Sequence, residues 1–151
     1  MARSRARASS ETSPRSCDGG GRATVARITT VQTTDVARTF LDALARRDFE
    51  GLAATFKEDG RLRGLVPSAL REAGGRDAVA ERFGIWNDAE EWELLESEAE
   101  DVADVVKLCW RVASTDPELG RTVYEQTAYA EIDEGGIAWM NLVCSGERPN
   151  G

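Results

Sequence analysis

The sequence predicts a small α+β domain, and three features carry that reading. Helical periodicity fills the first half of the folding region, period-two alternation fills the second, and Gly- or Pro-bearing turns separate the segments. Helices first and an antiparallel meander afterwards gather the helices on one face of a sheet. At 151 residues the chain has room for one such core.

Each element has its own signal. Thr34 and Asp35 offer helix N-caps, and Val36, Phe40, Leu41 and Leu44 recur at helical spacing through Arg47. Asp48 caps a second, short helix whose apolar side is Phe49, Leu52, Ala53 and Phe56, with Gly60 as its stop. Arg61-Leu62-Arg63 alternates as a short strand, and a loop is expected from Pro67 to Gly75. Val79, Phe83 and Trp86 mark a third helix. Strands are predicted over 91–100, 105–113, 121–132 and 137–144, joined by the turn around Asp116-Pro117 and by Asp133-Glu134-Gly135-Gly136.

Hairpin pairing fixes which residues share a face. Setting Ile132 opposite Ile137 puts Ala130 opposite Trp139, Ala128 opposite Asn141 and Gln126 opposite Val143. Setting Ala113 opposite Arg121 puts Trp110 opposite Tyr124, Leu108 opposite Gln126 and Val106 opposite Ala128, and these three pairs join the helix-facing side. That face is apolar except for Tyr124, Gln126 and Asn141, which makes them the pocket candidates. The other face carries Tyr129, Met140 and Leu142, the residues through which the sheet would form a homodimer if the chain is a binding or assembly module.

Composition removes several function classes. There is no His, so no Ser-His-Asp or Cys-His nucleophile pair and none of the common His-containing zinc sites is available. Residues 1–27 hold six Arg against Glu11 and Asp18, a local +4, so the rest carries −12 within a net charge of −8. An acidic domain of this kind repels phosphate backbones, and no nucleic-acid partner is expected. No apolar run reaches the roughly 18 residues of a membrane helix, so no membrane partner is expected either. The expected organisation is a disordered basic extension over 1–33, a pocket domain over 34–146 and a tail over 147–151. The Arg- and Ser-rich start also resembles an organelle transit peptide in composition, but it lacks a secretory apolar stretch, and a cytoplasmic location is the expectation.

The run Phe40-Leu41-Asp42-Ala43-Leu44-Ala45-Arg46-Arg47-Asp48-Phe49-Glu50-Gly51-Leu52, followed by Phe56 and Asp59-Gly60, resembles the opening helices of nuclear transport factor 2-like proteins. That superfamily includes ketosteroid isomerases and SnoaL-like polyketide cyclases. Gly75-Arg76-Asp77-Ala78-Val79, the Asp133-to-Ile137 turn with Trp139, and the Cys144-Ser145-Gly146 ending are similar too. The resemblance implies a cone-shaped fold, a curved antiparallel sheet wrapped by three N-terminal helices around an apolar cavity, often dimeric. It does not supply the carboxylates of the known mechanisms. The isomerase base falls near Arg63-Gly64, its helical Tyr at Phe40 and its strand carboxyl at Gln126-Thr127, while the epoxide hydrolase Asp pair meets Asn141 and Cys144.

Two functional readings follow. In the first, a cofactor-free cyclase, isomerase or dehydratase acts on a flat hydrophobic carbonyl compound, with Tyr124, Gln126 and Asn141 stabilising an enolate and Asp59 as the nearest candidate base. Arg63, Trp86, Trp110 and Trp139 would then bind the substrate. In the second, the chain is a non-catalytic binding or dimerisation module, and the same residues are packing, turn or surface groups. No cofactor and no metal are expected in either. The nine acids between Asp88 and Asp104, unbroken by Lys or Arg, read as a solvated edge strand more readily than as a calcium loop.

Overall fold

Elements run in the order α1 (Ile28–Ala45), α2 (Phe49–Ala53), β1 (Phe56–Val66), β2 (Ala69–Gly74), α3 (Arg76–Trp86), β3 (Trp92–Val102), β4 (Val105–Asp116), β5 (Gly120–Asp133), β6 (Gly136–Cys144) and β7 (Arg148–Pro149). This computed structural model describes residues 28–149, with side chains from Thr33 onward. The expected basic extension before residue 28 lies outside the described residues. Helix α1 starts six residues ahead of the expected Thr34 boundary, across a Thr-rich stretch whose β-branched residues weaken the local helix signal.

The sheet order is β2-β1-β6-β5-β4-β3, with β7 added beside β5. All pairs are antiparallel except β1 with β6, which run parallel. The loop expected over 67–75 is instead a second hairpin strand, turning at Pro67-Ser68 so that Val66 pairs with Ala69. The short strand expected at 61–63 is the middle of an eleven-residue strand that passes through the presumed Gly60 stop. Asp48 caps α2 as read, its carboxylate accepting from the Gly51 N–H at 3.0 Å.

Packing follows the alternation of the strands. Inward residues Val106, Leu108, Trp110, Val112, Ala128, Ala130, Met140 and Leu142 meet Ala37, Phe40, Leu41 and Leu44 of α1 and Val79 and Phe83 of α3, all buried. Phe40 is the hub, with its ring 5.6 Å from both Phe83 and Trp110 and 6.4 Å from Phe56. Rings in this tilted and edge-on range gain electrostatic attraction beyond simple burial.

Two registers differ from expectation, with different consequences. Between β4 and β5, Trp110 faces Gln126 rather than Tyr124, a slip of two residues that leaves every side chain on its predicted face. Between β5 and β6, Ile132 does face Ile137, but Glu131 faces Trp139, so Ala138 is an extra residue. Beyond that bulge β6 is turned over. Met140 and Leu142 are core, not dimer surface, and Trp139, Asn141 and Val143 point out of the sheet. Gly136 makes the tight approach possible. Its φ is +117°, and a Cβ there would stand 2.5 Å from the Thr55 carbonyl oxygen.

Candidate functional site

The eight residues singled out by sequence separate into two groups on opposite faces of the sheet. Tyr124, Gln126, Trp86 and Trp110 are inside. Asp59, Arg63, Trp139 and Asn141 line an open groove on the outer face.

Inside, the polar groups satisfy one another. The Tyr124 hydroxyl donates to Asn87 Oδ1, and the Trp92 indole N–H reaches Asn87 Oδ1 at 3.0 Å and the Tyr124 oxygen at 3.2 Å. Asn87 Nδ2 donates to the Phe83 carbonyl at 2.8 Å, closing the end of α3. Trp110 Nε1 donates to Gln126 Oε1 at 2.8 Å. Burial holds the Tyr124 phenol far above its ordinary ionisation range, and the Trp92 hydrogen bond only partly opposes that. The phenol is therefore a neutral donor at physiological pH, already committed to Asn87. Trp86 lies on Gly64, where a Cβ would come within 2.7 Å of its ring. The position that the resemblance assigns to a base is thus filled by an indole.

Sequence reasoning missed Arg47 and Asn87. Arg47 follows α1 in the left-handed conformation, φ 54°, while Asp48 N–H bonds to the Ala43 carbonyl and Arg47 N–H to that of Leu44, both at 2.9 Å. That turn aims the guanidinium at the carbonyls of Asn87, 3.1 Å, and Ala89, 2.7 Å, and over the Trp92 ring at 5.3 Å. A non-glycine residue at a helix terminus leaves no sign of this in the pattern. Asn87 reads in sequence only as the end of the third helix.

Outside, Glu125 does not reach the interior, because Arg111 grips it at 2.8 Å and holds Glu96 at 2.5 Å. Those carboxylates and the Glu125 hydrogen bond foremost raise the guanidinium's affinity for its proton. Asp59 is exposed. Among the described residues the buried polar side chains are Thr55, Asn87, Ser114, Thr122 and Gln126, so no carboxylate is buried. None of the described residues form a group of three or more His, Cys, Asp or Glu able to hold a metal ion. No described helix is long and apolar enough to cross a membrane.

Comparison with known proteins places the fold. No family model matches the sequence, and no curated protein matches it. Solved structures do match. An NTF2-like protein of unknown function from Mesorhizobium loti superposes with a TM-score of 0.64 at 19% identity, over 78% of this chain and 93% of that one. A candidate polyketide cyclase from Xanthomonas campestris pv. campestris gives 0.61 at 19%, over 76% and 90%. A protein of ketosteroid isomerase-like fold from Catenulispora acidiphila, in complex with trimethylamine, gives 0.59 at 12%, over 73% and 85%. The chain has the nuclear transport factor 2-like α+β cone fold.

Proposed function

We propose that this chain is a non-catalytic module of the nuclear transport factor 2-like fold that works as a homodimer through the outer face of its sheet. One observation carries the first half: among the described residues no carboxylate is buried. Proton abstraction next to a carbonyl needs a base in reach of the substrate and shielded from bulk water. Here Asp59 is in the outer groove, Glu125 is tied to Arg111, and Tyr124 and Gln126 hold neighbours in place. Incubation with a β,γ-unsaturated cyclic ketone, followed by enone absorbance, should show no conversion above buffer. Conversion abolished by Gln126→Ala would overturn this reading in favour of the cyclase or isomerase alternative.

The second half rests on a row of apolar side chains across three strands. Leu70 of β2 pairs with Leu65 of β1, which pairs with Val143 of β6, and their exposures are 49%, 53% and 55%. Tyr129 of β5, 41% exposed, stands one row along. A contiguous exposed apolar patch of this kind marks an association surface, and a two-fold axis lets one patch pair with itself. These residues replace Met140 and Leu142, which the bulge at Ala138 turns into the core. Light scattering should give a dimer mass, and Val143→Arg should return a folded monomer. A monomeric parent protein at tens of micromolar would refute the association.

A further inference from the structure

The groove on the outer face has a chemistry that neither the packing nor the proposed dimer uses. Its volume is about 770 Å³, within the range of small-ligand sites. Two rows of side chains across β2, β1 and β6 build it. One row is Gly74, Arg61 and Trp139, and the next is Glu72, Arg63 and Asn141. Arg63 is neutralised by Glu72 at 3.4 Å. Arg61 pairs with no carboxylate among the described residues, and Asp59, also in the groove, stays beyond ion-pair distance of it.

Arg61 is open because of what flanks it. Its β2 partner is Gly74, where an added Cβ would meet nothing within 4 Å, and its β6 partner is the half-buried Trp139. A guanidinium thus has a vacant strip on one side and an indole on the other. The bulge at Ala138 creates this arrangement, since without it Trp139 and Asn141 would face the core.

We infer that this groove binds a planar aromatic carboxylate. The guanidinium fork suits a carboxylate in bidentate geometry, the ring lies against Trp139 in the strip that Gly74 leaves empty, and the Asn141 amide supplies a neutral hydrogen bond. A phosphate would fit the fork as well, but its second charge meets Asp59 and Glu72 at close quarters, on a domain carrying −12 after residue 27. A single negative charge is what one unpaired Arg among two carboxylates accommodates. Arg61 and Trp139 each lie four residues from the apolar row at Leu65 and Val143, about 13 Å along their strands. Tyr129, by contrast, pairs with Asn141, so the proposed dimer borders the groove at its Asn141 end and its row lies away from Arg61.

Titrating the full chain with benzoate, followed by calorimetry and by the Trp139 indole N–H resonance, tests the site. The resonance is assigned with Trp139→Phe. Benzoate should bind and shift that resonance, and benzamide and cyclohexanecarboxylate should each bind several-fold more weakly. Arg61→Gln should weaken benzoate by about tenfold or more, and Gly74→Phe, which fills the strip, should abolish binding. Benzamide binding as tightly as benzoate, an unmoved Trp139 resonance, or unchanged affinity in Arg61→Gln would each overturn the assignment. Should Gly74→Phe fail to fold, Arg61→Gln decides alone, because that side chain supports no ion pair whose loss could destabilise the fold.

Discussion

Arg47 holds a backbone conformation that side chains resist, at about 1–2 kcal/mol relative to glycine. Its two bonds to the carbonyls of Asn87 and Ala89 and its position over Trp92 more than offset that. Two substitutions separate the terms. Arg47→Ala keeps the strained backbone and loses the contacts, an expected loss of about 2 kcal/mol. Arg47→Gly loses the same contacts but relaxes the backbone, so it should be about 1 kcal/mol more stable than the alanine variant. Urea melts of the pair give the order, and an alanine variant more stable than the glycine one would contradict it.

Tyr124 supplies a pH dependence of definite sign. Burial raises its pKa in the folded chain above the ordinary 10.0, so below pH 10 both states carry a neutral phenol and nothing depends on it. Above pH 10 the unfolded chain ionises first, and stability falls as pH rises toward the folded value. Tyr124→Phe should be less stable than the parent at pH 8, having lost the Asn87 bond, and should show a shallower fall in melting temperature from pH 10 to 11.5. Equal slopes in the two proteins would show that the phenol is not the group responsible.

At the scale of elements, the β3–β4 hairpin turns through Ala103-Asp104 between the paired Val102 and Val105, with Ala103 at φ 56°. Glycine is favoured at that first turn position. Ala103→Gly relieves the left-handed strain and concedes some chain entropy, for a net gain of about 0.5 kcal/mol, or about 2 °C in melting temperature. Ala103→Val, with a branched Cβ in the same place, should move the other way. The sequence made the α-then-β order, the Asp48 cap and the last hairpin legible because each has a local signature. It did not show Ala138 as a bulge, because a small residue at an irregular pairing changes neither composition nor alternation until the partner strands are known. The error it hides is large. Read without the bulge, Asn141 and Trp139 fall beside Gln126, whereas the strand that carries them has turned over and put them on the far side. The β4–β5 misreading was harmless by contrast, since a slip of two conserves faces.

For the whole molecule, charge and apolar area act on self-association in opposite senses. The proposed dimer brings together two chains of net charge −8 through a patch whose centre, Leu65, Leu70 and Val143, is uncharged. At about 10 mM ionic strength the screening length is roughly 30 Å, so the two chains repel across their full width; at 150 mM it is about 8 Å and that repulsion is largely screened. Apolar burial is not weakened by the same change. The dimer should therefore tighten with added NaCl, by several-fold in dissociation constant between those conditions, measured by sedimentation equilibrium. Benzoate binding at Arg61 should respond less, because salt screens both the attraction of the guanidinium and the repulsion of the net negative chain. A dimer that dissociates as salt is raised would instead assign the interface to ion pairs, and the Leu65–Val143 row would lose its role.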